Sequence, residues 1–291
     1  MNALTVIVVN YNGGATLRRG LRALWPELRP GWDVVVVDNA SSDGSADDLE
    51  SEFDGVRVIR NRRNQGFAAA NNIALRDTGG DNVLLLNPDV EVDPGAIATA
   101  LGHLDAHDDV GIVGARILLP DGRFDPAARR SAKTPATYWY KILGLSRLFP
   151  RHPRFGRYYL SYLDESAITD VDSVVGAFLL IRRSVVDSIG PLDERFFMYC
   201  EDEDWCWRAR QAGWRVVYHP GVVVRHAKGS STRQRPLRMA YHFHRSLLLY
   251  HRKNLAPRHS PVANAAVYGG IAAGMVSAMA KQSLRRAIPR R

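Results

Sequence analysis

The chain has 291 residues, of which 46% are hydrophobic and 24% are charged, and its formal net charge is +9. This composition excludes a disordered protein, and two cysteines exclude a disulfide-rich secreted scaffold and a four-cysteine zinc site. The charge is unevenly divided: residues 205–291 carry 17 Lys and Arg and no acid, whereas residues 1–204 carry 22 basic and 30 acidic residues. The basic C-terminal part predicts an anionic partner, which is phospholipid, nucleic acid or a phosphorylated substrate.

The first half of the chain alternates short apolar runs with amphipathic segments. Strands are predicted at residues 4–9, 33–38, 56–59, 82–86 and 110–119, and helices at 16–28, 45–53, 67–75 and 94–107. The strand segments are continuous in Val, Ile and Leu, a pattern typical of a parallel sheet buried on both faces. The alternation therefore predicts an α/β domain, a Rossmann-like and mostly parallel sheet with helices on both faces.

The second half is less regular. Residues 120–170 are rich in Arg, Tyr and Pro, and we expect them to form an excursion near the active site. The segments that follow are predicted as a strand over 171–183, a helix over 184–189, a helix ending near Ala212, strands over 214–218 and 222–226, and a helix over 236–254.

The stretch from Ser260 to Ala280 is uncharged and lies between Arg258 and Lys281. Its length suits a membrane span, but its many small residues favour an interfacial helix, with a packed soluble helix as the alternative. We divide the chain into a domain at 1–235 and a basic, membrane-associating helical extension at 236–291. The basic residues from Arg238 onward are expected to face the membrane, and those at 228–233 to meet diphosphates.

Asn and Asp residues follow four successive predicted strands: Asn10 and Asn12, Asp38 and Asn39, Asn61 and Asn64, and Asn87 and Asp89. Ligands of such sheets bind beyond the carboxyl ends of the strands, although turn chemistry also favours these residues. Asp38 can accept hydrogen bonds from a base or a ribose, or it can cap the turn that follows. Asp89 suits a divalent cation that bridges a diphosphate, with a turn as the alternative. Neither common Gly-rich phosphate loop is present.

Four acids, Glu201 to Asp204, stand together between aromatic residues. Acids favour a helix N-terminus, so a solvated helix start is one interpretation. The flanking aromatic residues favour the other, in which a carboxylate beside aromatic walls acts as a general base. His226 ends a predicted strand, and a lone histidine in such a place is either structural or a ligand.

Seven segments, in this order, resemble the inverting glycosyltransferases of family 2 with the GT-A fold, and within them the bacterial rhamnosyltransferase-like branch. The segments are VIVVNYN (6–12), VVVVDNASSDGS (34–45), NQGFAAANNIAL (64–75), LLLNPDV (84–90), VVGAFLLIRRSV (174–185), FFMYCEDEDWCWRARQAGWRV (196–216) and RHAKGSS (225–231). The resemblance covers about residues 4–250.

The resemblance implies a role for each matching residue. The nucleotide-binding residues are Asn10, Asp38, Gly66, Phe67, Asn72 and Asn87. Asp89 and His226 are implied as ligands of Mg²⁺ or Mn²⁺, and Asn87 departs from the family's D-x-D motif. Asp202 matches the general base that takes the proton of the attacking hydroxyl. Gly176, Glu201 and Trp205 are assigned to the acceptor. Independently of the resemblance, an acceptor sugar can stack on aromatic rings, and the alternative is that these rings are ordinary core and interface aromatics; the candidates are Tyr138, Trp139, Tyr140, Tyr158, Tyr159 and Trp205.

The predicted activity is transfer of L-rhamnose from a thymidine diphosphate donor to a cell-wall or O-antigen glycan or a lipid-diphosphate-linked acceptor. We expect a cytoplasmic protein, peripheral at the inner face of the plasma membrane, with an anionic membrane surface and no nucleic acid as partner. The alternatives are a uridine diphosphate-sugar transferase and a non-catalytic nucleotide-sugar-binding relative. A nucleic-acid-binding protein lacks support because no such module is recognised, and a nucleotidyltransferase would need a basic Gly-rich loop near Asn10.

Overall fold

The computed structural model describes residues 3–227 and 236–287, and the side chains up to residue 283. Its strands are β1 (Leu4–Asn10), β2 (Asp33–Asp38), β3 (Val56–Arg60), β4 (Asn82–Leu86), β5 (Val90–Val92), β6 (Val110–Leu118), β7 (Arg129–Arg130), β8 (Thr169–Asp170), β9 (Ser173–Val174), β10 (Phe178–Arg182) and β11 (Arg215–His226). Its α-helices are α1 (Ala15–Leu24), α2 (Leu49–Glu52), α3 (Phe67–Arg76), α4 (Ala96–Ala106), α5 (Pro135–Ile142), α6 (Leu145–Leu148), α7 (Arg183–Ile189), α8 (Glu201–Gln211), α9 (Pro236–Tyr250) and α10 (Pro261–Ala287).

The described chain forms one nine-stranded sheet in the order β3-β2-β1-β4-β10-β6-β11-β5, with β8 beside β11. β1, β2, β3 and β4 run parallel, as do β6 and β11, while β10 lies antiparallel between β4 and β6. All residues of β1 and β4 are buried, as their unbroken apolar sequence predicts. The predicted α/β class with a mostly parallel sheet is therefore confirmed.

Some predicted boundaries differ from the structure. The strand predicted at 171–183 is two strands, β9 and β10, separated around Gly176. The strands predicted at 214–218 and 222–226 form the single strand β11, whose register shifts between His219 and Val223. Pro220 lies within that shift, and it has no N–H to donate to a neighbouring strand. The helix predicted at 45–53 is reduced to α2, and the excursion contains the unpredicted helices α5 and α6.

The C-terminal helices pack on the sheet domain through a second apolar cluster, which consists of Phe196, Cys200, Leu247, Tyr250, Leu255, Val267 and Ile271. Lys253 binds Asp193 and Asp204, each at 2.8 Å, and Asn254 donates to Asp204 at 2.9 Å. Asp204 is fully buried, and a buried carboxylate requires such partners.

Lys253 thus differs from our expectation that the basic residues from Arg238 onward face the membrane, because it turns inward to Asp204. Arg245 donates to the carbonyl of Arg195 at 2.7 Å and Arg258 donates to Gln211, and both remain exposed. The predicted domain boundary after residue 235 falls at the end of the segment 228–235, which lies outside the described residues.

Among the described residues, α10 is the one helix long and apolar enough to cross a membrane by length and composition. The stretch is Pro261–Ser283. Its most apolar 18 residues have a mean hydropathy of 1.4, and only 11% of this segment is buried. The helix therefore presents most of its apolar surface outward.

Candidate active site

A cavity of about 710 Å³ opens at the edge where β1, β2 and β4 end. Because these strands are parallel, their carboxyl ends and the loops after them meet at one edge. The cavity is lined there by Tyr11, Asn39, Asn87 and Asp89, and from later elements by Gly66, Phe67, Arg130, Lys133, Gly176, Glu201, Asp202, Glu203 and His226. Topology thus joins the predicted site residues Asn87 and Asp89 to the acidic cluster and His226, which follow Asp89 by more than 100 positions.

Asn10 and Asp38 form the support of the first loops. They are register partners on β1 and β2, and the Asn10 amide donates to Asp38 at 3.0 Å and to Ser45 at 2.9 Å. Asp38 also accepts from the backbone N–H of Ser41 at 3.1 Å, which is the turn-capping arrangement that we left open. Both side chains are buried. They hold the loop behind the cavity wall.

Asn39, one of the strand-end residues named from the sequence but given no role there, reaches the cavity. Its amide donates to the carbonyl of Gly66 and to Asn64, both at 3.1 Å, and its oxygen accepts from the N–H of Gln65 at 3.0 Å. Gly66 has φ +90°, and a Cβ there would lie 2.4 Å from the carbonyl oxygen of Phe197. Only glycine permits this close approach, which brings the loop before α3 against the loop before α8.

The structure does not bring Asn72 and Trp205 to the cavity. Asn72 donates to the carbonyl of Leu192 at 2.8 Å and accepts from its N–H at 3.0 Å. Trp205 is fully buried, and its indole donates to the carbonyl of Gly190 at 3.0 Å. Both side chains secure the segment 190–192 that precedes α8.

Asp89 and His226 come together from opposite halves of the chain. His226 is the register partner of Val90, and its Nε2 lies 3.0 Å from Asp89 Oδ1. Both are buried in the cavity wall, and the buried Nδ1 of His226 has no hydrogen-bond partner among the described residues. A carboxylate beside an imidazole fits a divalent cation such as Mn²⁺. The described residues contain no group of three or more His, Cys, Asp or Glu able to hold a metal ion.

Asp202 lies at the first turn of α8 and is buried with the rest of the acidic cluster. This excludes the solvated helix start. Its Oδ2 accepts from Arg130 at 2.7 Å and from the N–H of Gly176 at 3.0 Å, and its Oδ1 accepts from the N–H of Glu203 at 2.7 Å. Burial raises the pKa of Asp202, but the charge and hydrogen bond of Arg130 outweigh it and hold the pKa below the usual value.

The neighbouring acids differ in their partners. Glu203 accepts from Lys133, from Arg130 at 3.0 Å and from the Tyr158 hydroxyl at 3.2 Å. Glu201 lines the cavity, and its Oε2 has no partner among the described residues. Burial and the adjacent Asp202 charge raise the pKa of Glu201 well above its usual value. The cluster thus contains two adjacent carboxyl groups whose pKa values are shifted in opposite directions, down for Asp202 and up for Glu201.

Arg130 and Lys133 are functional residues that we did not identify from the sequence. A signal was present, because residues 126–163 contain eight Lys and Arg and no acid. Of the aromatic candidates, Tyr138, Tyr158 and Tyr159 line the cavity, whereas Trp139 and Tyr140 do not. The basic residues predicted at 228–233 lie outside the described part of the chain.

The chain is similar to known proteins in sequence and in fold. The family model described as Glycosyl transferase family 2 matches residues 5–190. An N-acetylglucosaminyl-diphospho-decaprenol L-rhamnosyltransferase of Mycobacterium tuberculosis is 32% identical over 270 residues, which are 89% of this chain and 86% of the relative. The dTDP-rhamnosyl transferase RfbF of Shigella flexneri is 24% identical over 265 residues, 86% of this chain and 80% of the relative.

Two solved structures share the fold at low sequence identity. The mannosyltransferase PcManGT from Pyrobaculum calidifontis, in complex with GDP-Man and Mn²⁺, has a TM-score of 0.60 and 20% identity, covering 100% of this chain and 76% of that one. GalNAc-T7 with UDP, GalNAc and Mn²⁺ has a TM-score of 0.59 and 17% identity, covering 78% of this chain and 44% of that one.

Proposed function

The chain belongs to glycosyl transferase family 2 and is a glycosyltransferase with the GT-A fold, and from this premise we propose that it transfers L-rhamnose from a thymidine diphosphate donor to a lipid-diphosphate-linked sugar. The names of the mycobacterial and Shigella relatives support the sugar, the donor and the acceptor class. The observation that carries the proposal is that one cavity contains both the Asp89–His226 pair and the ionised Asp202. A donor phosphate site and an acceptor base are thereby within one enclosure.

We assign Asp202 as the general base. An ionised carboxylate has about four lone-pair positions, and hydrogen bonds from Arg130, Gly176 and Glu203 occupy three of them. The remaining position accepts the proton of the acceptor hydroxyl as its oxygen bonds to the anomeric carbon. The bond from that carbon to the diphosphate breaks in the same displacement, which inverts the anomeric configuration and releases the nucleoside diphosphate.

At the donor side, Asp89 and His226 would hold the divalent cation, whose charge would offset the charge that develops on the leaving diphosphate. Asn87 lies on the same wall and can donate to a phosphate or a ribose oxygen. Asn39, Gly66 and Phe67 shape the wall next to it, so we place the nucleoside there. Asn10 and Asp38 position this wall from behind.

The extension is proposed to keep the enzyme at the cytoplasmic face of the plasma membrane, where such an acceptor would be found. The outward apolar surface of α10 supports this arrangement. In this view residues 236–291 are a membrane-associating part that also completes the cavity.

The test is transfer by the purified full chain from thymidine diphosphate-rhamnose to an N-acetylglucosaminyl-diphosphate lipid, with Mg²⁺, Mn²⁺ or chelator. General-base catalysis contributes about 10²- to 10⁴-fold, so Asp202→Asn should reduce kcat by that range. Asp187→Asn, an exposed acid on α7, is the control. Near-normal turnover of Asp202→Asn would remove Asp202 from the role. Transfer from a uridine diphosphate-sugar and not from thymidine diphosphate-rhamnose would show that the proposed donor is wrong. Donor binding without any transfer would indicate a non-catalytic relative.

A further inference from the structure

The cavity extends beyond the acidic cluster into a second region, which we name the apolar arm. It is lined by α5, α9 and α10 through Ile142, Met239, Phe243, Leu247, Ile271 and Gly274, with His244 as a polar side chain on α9. The donor sugar, the diphosphates and the acceptor hydroxyl are all polar, so none of them matches these mainly apolar walls. An apolar space continuous with a catalytic cavity favours an apolar part of a substrate.

Two glycines allow α10 to form one wall of the arm at close range. A Cβ at Gly274 would lie 3.1 Å from His244 Nε2 on α9, and a Cβ at Gly270 would lie 3.1 Å from Ile142 Cδ1 on α5. Larger residues at these positions would press on the opposite walls or occupy the arm. The two glycines therefore allow α10 to approach α9 and α5 closely at the wall of the arm.

Lys141 lies between the acidic cluster and the arm. Its Nζ is 5.9 Å from the ring centres of both Tyr158 and Phe243. Tyr158 donates to Glu203 in the acidic cluster, whereas Phe243 belongs to the arm. Arg130 and Lys133 are already bound to Glu203, but Lys141 forms no ion pair with a described residue. It is a cation on the cavity wall with its charge available to an anion.

The outer surface beside the arm is apolar and basic. The exposed large apolar side chains of α5 and α6 and the residues around them are Trp139, Ile142, Leu143, Leu148 and Phe149, and α10 adds Val276. Exposed apolar residues interspersed with Arg and Lys are typical of surfaces that enter an anionic lipid interface. A bilayer is therefore the source from which an apolar ligand would reach the arm.

We propose that the apolar arm binds the lipid chain of the acceptor and that Lys141 binds the acceptor diphosphate. The acceptor then enters from the bilayer between α5 and α10, and its sugar reaches Asp202. The proposal rests on the proposed function for the acceptor sugar, but the binding of the lipid diphosphate can be measured without transfer.

Titration calorimetry of the full chain with farnesyl diphosphate and with inorganic diphosphate tests the arm directly. We expect the farnesyl compound to bind at least tenfold more tightly. Gly274→Leu, which fills the arm, should lower the affinity for farnesyl diphosphate about tenfold, and Gly269→Leu is the matched control because open space surrounds Gly269 on the same helix. Met239→Gln, which places a polar group in the arm, gives the same test if Gly274→Leu fails to fold.

Lys141→Gln should weaken both diphosphates about tenfold, because charge-assisted hydrogen bonds are lost. Arg147→Gln, an exposed cation on α6, is its control. Equal affinity for the two diphosphates would contradict the proposal that the apolar arm binds a lipid chain. An affinity for farnesyl diphosphate that is unchanged in both Gly274→Leu and Met239→Gln would contradict it as well. Unchanged affinity in Lys141→Gln would overturn the role of that residue.

Transfer kinetics separate this inference from the proposed function. With the same acceptor head on a long isoprenoid chain and on a short alkyl chain, Gly274→Leu should lower the ratio of kcat/KM for long over short chains about tenfold. Farnesyl diphosphate binding that depends on the arm, without transfer to any acceptor, would support the arm and refute the transferase proposal. A ratio near one in the unaltered protein would refute the arm while leaving the transferase proposal intact.

Discussion

Glu201 and Asp202 are adjacent in the chain and buried together, yet their surroundings favour opposite protonation states. Asp202 has a guanidinium and two N–H donors, and Glu201 has a buried oxygen without a partner among the described residues. Pairs of carboxyl groups whose environments separate their pKa values are typical of acid–base sites. The base assigned here is the residue that the protein keeps charged.

The raised pKa of Glu201 predicts a pH-dependent stability. A carboxyl group whose pKa is raised in the folded state contributes its full stabilisation of the fold at a pH below its unfolded-state pKa of 4.5. This stabilisation is lost as the pH rises through the folded-state pKa. We expect Glu201→Gln to melt at a higher temperature than the unaltered protein at pH 8. Each kcal/mol is worth roughly 2–4 °C in a domain of this size.

Thermal melts of both proteins between pH 4 and pH 8 provide the measurement. The difference in melting temperature between Glu201→Gln and the unaltered protein should become smaller toward pH 4, where Glu201 is mostly protonated in both the folded and the unfolded state. A difference that is constant over this range would mean that Glu201 does not titrate as its burial implies.

At the scale of elements, the acidic helix α8 fixes the C-terminal helices. Asp204 is fully buried and binds Arg208 within α8 at 3.0 Å, and it binds Lys253 and Asn254 from the segment after α9. The acidic cluster therefore contains both the residue that we propose as the general base and the carboxylate that binds the segment after α9. The arrangement fixes α9, and with it one wall of the cavity.

Lys253→Met should destabilise the protein by about 1–3 kcal/mol, because it removes one charged partner from a buried carboxylate. Urea unfolding gives this value, and Arg252→Met, an exposed neighbour, should change it by less than about 0.5 kcal/mol. Equal changes in the free energy of unfolding for the two variants would show that the ion pair between Lys253 and Asp204 does not contribute to stability.

At the scale of the whole molecule, the first 119 residues are the most predictable part. Their buried strands carry an unbroken apolar signal, and the Asn and Asp at the strand ends are visible without any contact information. The insertion of β10 between β4 and β6 is not visible, because strand order depends on contacts between distant residues. Arg130, the partner of Asp202, and Lys133, the partner of Glu203, were missed for a related reason, because both lie in a segment with weak periodicity.

The net charge and the apolar surface of α10 together predict membrane binding that depends on charge. The protein should co-sediment with vesicles containing phosphatidylglycerol more than with pure phosphatidylcholine, and less as salt is added. Val276→Glu, at an exposed position of α10, should reduce binding, whereas Ser51→Glu on α2 should not. Binding that is equal for both vesicle types, or insensitive to Val276→Glu, would contradict this surface.

The antiparallel position of β10 beside β6 has a consequence for how such enzymes diversify. The excursion leaves the sheet at the end of β6, pairs with β11 through the short strand β8, and returns through β10, the direct neighbour of β6, where Val113 pairs with Leu180. A long segment between adjacent strands can change in length at a small entropic cost. Exchanging it would replace Arg130, Lys133, Lys141 and the tyrosines together while β1 to β4 stayed intact. Under the acceptor roles that we propose for these residues, acceptor choice would change with this segment while the donor side of the cavity stayed the same.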